Sequence, residues 1–148
     1  MKVQSQVEVR PVTVDDAAEI CQICCEDLGY QCDKILVTER INQLELEREA
    51  VFVAEIDGAV VGFVHVEKYN TLYFEMMANI LGLAVSSKYR KKGIGRALLE
   101  RAEQWAMEND ISLMRLNSGK KRSDAHKFYR HLEYGQDKEQ YRFIKRLD

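Results

Sequence analysis

Apolar residues recur along the 148-residue chain with two different periods, and the places where one gives way to the other mark the elements. An alternating start at Val7–Val9 is followed by Thr13-Val14-Asp15-Asp16, whose side chains suit a helix cap. Ala17, Ala18, Ile20, Ile23 and Cys24 then fall at helical spacing, predicting a first helix that ends near Gly29. A second helix is expected from about Thr38 to Arg48, with Ile41 and Leu44 as its seam. Val51–Ile56 and Ala59–Val66 are rich in β-branched residues and joined by Asp57-Gly58, a two-residue hairpin signal, so they read as adjacent antiparallel strands. The polar and aromatic connection Tyr69–Met77 leads into a strand at Ala78–Val85, in which Gly82 marks a bulge or a close approach. A third helix from about Gly93 to Asn109 carries Ala97, Leu98, Ala102, Trp105 and Ala106 on one face. A strand at Ile111–Asn117, a short helix at Asp124–Leu132 and a closing strand at Tyr141–Arg146 complete the pattern.

This order predicts one α/β domain over residues 1–148: a mixed, mostly antiparallel sheet with helices on both faces. With 46% hydrophobic and 31% charged residues, one Pro and 8 Gly, the composition is that of a packed globular core. No apolar run approaches the ~18 residues of a membrane-spanning helix, and the N-terminal residues lack a signal-peptide core. A cytoplasmic chain with reduced thiols is therefore expected. Cys21, Cys24, Cys25 and Cys32 crowd one stretch, but no His and no second C-x-x-C pair stands near them to complete a tetrahedral set. Cys21, Cys24 and Cys25 read as small apolar residues along a helix face, and no metal is expected.

The net charge of −2 conceals an asymmetry. Residues 1–87 hold 6 Lys+Arg against 15 Asp+Glu, giving −9, and residues 88–148 hold 16 against 9, giving +7. An acidic chain without interleaved basic and aromatic residues is a poor match for a long nucleic-acid footprint. A compact polyphosphate ligand suits the basic half better.

The chemistry concentrates in Ser86-Ser87-Lys88-Tyr89-Arg90-Lys91-Lys92-Gly93-Ile94-Gly95-Arg96-Ala97-Leu98-Leu99, which joins a buried strand to a long helix through a basic, glycine-containing loop. Successive N–H groups of such a loop and of the helix start converge on one point, and Gly93 and Gly95 let the backbone approach phosphate oxygens. Arg90, Lys91, Lys92 and Arg96 add positive charge. The loop is neither a P-loop, since no GxxxxGK[ST] is present, nor a dinucleotide fingerprint, since the third glycine position holds Leu98.

Leu83-x-Val85 followed by Tyr89-Arg90-x-x-Gly93-x-Gly95-x-x-Leu98-Leu99 resembles the acetyl-CoA motif, [QR]xxGx[GA], of the GNAT superfamily of N-acetyltransferases. Asn117 and Ala125–Gly135 resemble the second signature of that family, A-x-x-F-Y-x-x-x-G-[FY]. The resemblance covers roughly residues 78–134. It departs at Glu133, where the family usually has glycine, and at Arg122, where an asparagine often precedes the alanine.

The resemblance implies an acetyl-CoA-dependent N-acetyltransferase acting on a primary amine, in a small molecule or a peptide. It implies that Leu83, Ala84 and Val85 hold the pantetheine arm and that their backbone N–H groups polarise the thioester oxygen. Arg90, Lys91, Lys92, Gly93, Ile94, Gly95 and Arg96 would meet the phosphates, joined by Asn117 and by Arg122. Tyr129 matches the tyrosine beside the sulfur. Its ordinary pKa of ~10 exceeds the ~8.5 of a thiol, so full proton transfer to the thiolate is uphill by about 2 kcal/mol, and a hydrogen bond to the leaving group is the better role. The base stays open among Glu75, Glu67, His65 and a water held by Asn79. Glu75 is placed first because family bases often sit in or beside this strand. A non-catalytic acyl-CoA sensor is the alternative reading; a homodimer is compatible with either, and nucleic acid and membrane are not expected partners.

Overall fold

The computed structural model describes residues 6–90 and 92–148, and these divide by their contacts into two compact units, Met1–Asn117 and Ser118–Asp148. Lys91 lies outside the described residues.

The first unit is built on a five-stranded sheet in the order β1 (Glu8–Pro11), β2 (Glu49–Ile56), β3 (Ala59–Tyr69), β4 (Met77–Val85), β5 (Met114–Leu116). The first three pairings are antiparallel and β4 pairs with β5 in parallel, which is the mixed, mostly antiparallel sheet read from the pattern. The Asp57-Gly58 turn forms as expected, with both residues at positive φ, +50° and +82°.

Helix α1 (Ala17–Asp27) and helix α2 (Lys34–Asn42) precede the central strands. Ile20 and Ile23 of α1 join Val53, Phe63 and Ala84 in one buried cluster, and Val37 and Ile41 of α2 pack against it. Helix α3 (Ile94–Glu108) takes the other face: Leu98 lies 3.0 Å from the Cβ that Gly62 lacks, and Arg101 stacks 4.2 Å over the Phe52 ring. Because Gly62 and Phe63 alternate along β3, the two helix layers cover opposite faces. Leu98, Leu99, Ala102 and Ile94 are essentially inaccessible, as the apolar stripe of α3 requires.

Helix α2 starts four residues before the expected Thr38 and ends six before Arg48. Asp33, not Thr38, is its cap: the carboxylate accepts from the Leu36 N–H at 2.8 Å, and the Thr38 hydroxyl donates back to the Lys34 carbonyl. Strand β5 is three residues long. Asp110, at φ +59°, ends α3, and the Ile111 N–H donates to the Ala106 carbonyl, so the chain joins β4 only from Leu113, whose carbonyl accepts from the Ala78 N–H.

In the second unit, α4 (Ser123–His131) ends in a Schellman arrangement. The Tyr134 N–H donates to the Tyr129 carbonyl and the Glu133 N–H to the Arg130 carbonyl, with Glu133 left-handed at φ +71°. The expected closing strand at Tyr141–Arg146 does not form. Its alternation gives an apolar face, yet among the described residues no strand pairs with it, and Tyr141 and Phe143 are 90% and 91% exposed. No helix among the described residues is long and apolar enough to cross a membrane.

Candidate active site

Strand β4 is paired on both sides only over part of its length. Strand β5 meets it at Ala78, Asn79 and Ile80 and stops, while β3 continues to pair with Leu83, Ala84 and Val85. From Leu81 onward the edge that faced β5 therefore has no strand beside it among the described residues, and alternate backbone N–H groups of residues 81–85 point to it. A bulge reinforces the divergence: His65 pairs with Gly82 but Val66 with Ile80, so Leu81 is the extra residue. Gly82 fulfils both expectations made for it, since it adjoins the bulge and a side chain there would stand 3.3 Å from Phe63.

The basic loop follows directly. A single 3-10 turn, Ser87–Tyr89, leads to Gly93, whose φ of +75° is the left-handed conformation glycine adopts most readily. The first helical hydrogen bond of α3 runs from the Ala97 N–H to the Gly93 carbonyl, so the N–H groups of Ile94, Gly95 and Arg96 have no helical acceptor. They form the positive end of a 15-residue helix. Around them, Lys92 Nζ stands 5.6 Å over the Tyr89 ring, Arg96 pairs with Glu100 at 2.8 Å, and Arg90 lies 3.7 Å from Asp27. Sequence reasoning missed Asp27. Its carboxylate, from the end of α1, also accepts from the Ser87 N–H at 3.1 Å and ties the loop to the opposite helix layer.

The helix α1/α2 face of the sheet holds His65, one of the candidate bases. His65 Nε2 donates to Glu49 Oε1 at 2.7 Å, and His65 lines a mostly apolar cavity of about 300 Å³ with Ile20, Tyr30, Leu36, Arg40 and Phe63. Burial alone would raise the Glu49 carboxyl. The hydrogen bonds from His65 and from the Glu45 N–H outweigh it and hold that group below its ordinary range. Beyond the bulge a polar row crosses three strands: Asn79 donates to Glu67 at 2.8 Å and accepts from Arg115 at 2.8 Å, and Arg115 stacks 4.4 Å over Tyr69. Both ends of the Asn79 amide thus have protein partners, and Glu67 is half-buried under Arg48. Glu75 lies exposed in the connection between β3 and β4.

Asn117, at the end of β5, accepts from Arg115 at 3.3 Å. In the second unit Arg122 directly precedes α4, with its aliphatic stem beside Gly119. Tyr129 packs edge-on between Phe128 and Tyr134, with centroids at 5.3 and 6.2 Å. Burial raises the pKa of its hydroxyl and the charge of Arg122 offsets part of that, so the phenol stays protonated at neutral pH.

The acetyltransferase (GNAT) family profile matches residues 17–134, from the start of α1 to the turn after α4. The chain belongs to this family. It is an acetyl-CoA-dependent N-acetyltransferase by that membership, and the resemblance carried by the two motifs extends from α1 to the turn after α4. An uncharacterized N-acetyltransferase of Archaeoglobus fulgidus is 35% identical over 131 residues, 83% of this chain and 89% of that protein. The aminoalkylphosphonate N-acetyltransferase of Salmonella typhimurium is 28% identical over 142 residues, 95% and 91% of the two chains. Among solved structures, the aminoglycoside N-acetyltransferase AAC(6')-Iy in complex with CoA superposes with a TM-score of 0.84 at 16% identity, covering 99% of each chain.

Within this GNAT chain the sequence motifs point to the loop and α4, whereas the pair His65–Glu49 and the anchor Asp27 carry no motif. Glu49 stands opposite Glu67 in the β2/β3 register and reaches His65 only because β2 and β3 place them diagonally. A His and a Glu sixteen residues apart give no local signal; the hairpin alone could have suggested them.

Proposed function

We propose that this chain transfers the acetyl group of acetyl-CoA to a primary amine of a small molecule or peptide, by direct attack of the amine on the thioester, in the cytoplasm. The observation that carries the reading is the opening of β4 next to the free N–H groups of α3. One edge offers backbone donors at Leu83–Val85, and the helix start offers donors at Ile94, Gly95 and Arg96 a few residues later. A chain of carbonyl and amide groups ending in phosphates fits such a run of donors. Gly93 at positive φ gives the turn that exposes them, and Arg90, Lys91, Lys92 and Arg96, with Asn117 and Arg122, are assigned to the anionic end.

Acetyl-CoA supplies the acetyl group as a thioester. Backbone N–H groups at Leu83–Val85 stabilise the oxygen as negative charge develops on it. The acceptor must attack as a neutral amine, so a base removes its proton. Of the candidates, His65 meets the requirements best: it lines a cavity, and with Nε2 engaged by Glu49 the other ring nitrogen, Nδ1, is the one left to take a proton. Glu75 remains as the comparison, carboxylate but exposed. Nitrogen forms its bond to the acetyl carbon, the carbon–sulfur bond breaks, and the thiolate takes a hydrogen bond from Tyr129, the role that the α4 motif assigns to it. The acceptor class is supported by the relatives, whose names specify aminoalkylphosphonate and aminoglycoside acceptors.

The test is incubation with acetyl-CoA and a panel of amines, reading release of free thiol and the mass of the acetylated product. Acetylated amine with stoichiometric thiol is expected. Tight coenzyme binding without transfer to any amine would leave a sensor and overturn the transferase reading of this site.

A further inference from the structure

The junction between α1 and α2 brings together what the sequence separates. Cys21 and Cys25 lie one turn apart on α1, and the chain turns back at Gly29, φ +72°, to set Cys32 against both. Cys32 Sγ is 3.8 Å from Cys21 Sγ and 3.9 Å from Cys25 Sγ, and all three sulfurs fall within 4.8 Å of one another. The Cys21 and Cys25 thiols both donate to the Cys32 carbonyl, at 3.3 and 3.4 Å, which orients them toward the same point. Cys21 and Cys25 come from the face of α1, and the third thiol comes from beyond the turn.

We propose that Cys21, Cys25 and Cys32 form a binding site for one Zn²⁺ ion, held as three thiolates with the fourth position open to solvent. Zinc–sulfur bonds of about 2.3 Å in a tetrahedron set sulfurs about 3.8 Å apart, the separation already present in two of the three pairs, and the third closes by side-chain rotation. Cys25 is exposed, giving the ion an entry path, and Cys25 and Cys32 line an open cleft of about 550 Å³ with Tyr30, Asp33 and Leu36. Cys24 is outside this group of three and lines the smaller cavity beside Ile20 and Phe63. The ion would fasten the end of α1 to the start of α2, across the connection that carries Tyr30. None of the three thiols is assigned a step in acetyl transfer, although Cys32 also lines the cavity that holds His65.

The experiment uses the full chain, reduced and stripped of metal, with all four thiols confirmed free by titration. Zn²⁺ is titrated against a chromophoric chelator, and Co²⁺ is added as a spectroscopic probe of thiolate ligation. One Zn²⁺ per chain and a cobalt–thiolate charge-transfer band are expected. Cys21→Ser, Cys25→Ser and Cys32→Ser should each weaken Zn²⁺ binding about 100-fold or more, with Cys24→Ser within about twofold of the parent. Circular dichroism reports whether each variant is folded, and the parent chain with Co²⁺ decides the matter even where one is not. No uptake by the fully reduced chain, a cobalt spectrum without thiolate bands, or equal binding in all four variants would overturn the site.

Discussion

His65 and Glu49 face each other across β2 and β3 at 2.7 Å, with both side chains mostly shielded from solvent. Such a pair fixes the imidazole ring and its tautomer, as an orienting carboxylate does in other acid–base sites. If His65 is the base, His65→Gln lowers kcat/KM by about 10²–10⁴-fold with acetyl-CoA affinity unchanged. Glu49→Gln costs less, and the double variant costs no more than His65→Gln alone, because Glu49 acts through the ring. Glu75→Gln, at the exposed connection, stays within about threefold of the parent. A large loss at Glu75 with none at His65, in steady-state rates on the best amine, reverses the assignment.

Tyr129→Phe removes only a hydroxyl from a packed ring. The negative charge it would meet exists only after the carbon–sulfur bond begins to break, so turnover falls about tenfold or more while coenzyme affinity by calorimetry changes little. A parallel fall of both would make Tyr129 a packing residue between Phe128 and Tyr134.

Gly62 shows a constraint of packing. A Cβ at this position would stand 2.9 Å from the Ala84 carbonyl oxygen and 3.0 Å from Leu98, and the first is backbone that cannot rotate away. Gly62→Ala therefore forces β3 from β4 and costs about 1–3 kcal/mol. Thermal denaturation would show a lower Tm, and because Ala84 lies on the open stretch of β4, coenzyme affinity should weaken too.

The elements that were legible in the sequence are those whose own residues decide them. The Asp57-Gly58 turn, the apolar stripe of α3 and the loop with Gly93 each carry their signal within a few positions. The start of α2 differs from the expected one because Asp33 and Thr38 are both competent caps, and it is Asp33 that accepts from the Leu36 N–H. The segment Tyr141–Arg146 has the alternation of a strand, but a strand also needs a partner edge, which alternation cannot report. The same limit explains the site. Gly93 and Gly95 announce an anion loop by themselves, whereas the His65–Glu49 pair and the thiol cluster arise from chain reversals that bring distant positions together.

Asp16 anchors the first turn of the fold. Its carboxylate accepts two bonds from Arg10, both at 2.9 Å, and one from the Thr13 N–H at 2.8 Å, and Arg10 also reaches Glu55 at 2.8 Å. The Arg10 hydrogen bonds outweigh burial and hold Asp16 below the ordinary value of 3.8. A depressed pKa stabilises the fold above the unfolded-state value, and that stability is lost as pH falls through the folded-state value. Asp16→Asn should thus cost about 2–3 kcal/mol at pH 7, with the gap to the parent constant down to about pH 4 and closing below it. Urea unfolding across that range measures it; a gap that widens on acidification would remove the argument.

Glu133 is the position where the family usually has glycine, and the chain keeps the glycine conformation there without the glycine. At φ +71° it completes the turn in which the Tyr134 N–H reaches the Tyr129 carbonyl at 2.9 Å and the two rings meet. A left-handed residue with a Cβ costs about 1–2 kcal/mol, and glycine gives back about 0.5–1 kcal/mol of that through its greater freedom in the unfolded chain. Glu133→Gly should therefore stabilise the protein by about 0.5–1 kcal/mol, a rise of about 1–4 °C in Tm for a chain of this length. Glu133→Ala keeps the Cβ and should give no comparable rise, which separates backbone relief from loss of the carboxylate. If Ala stabilises as much as Gly, the gain comes from charge, and the left-handed turn imposes no measurable strain on the end of α4.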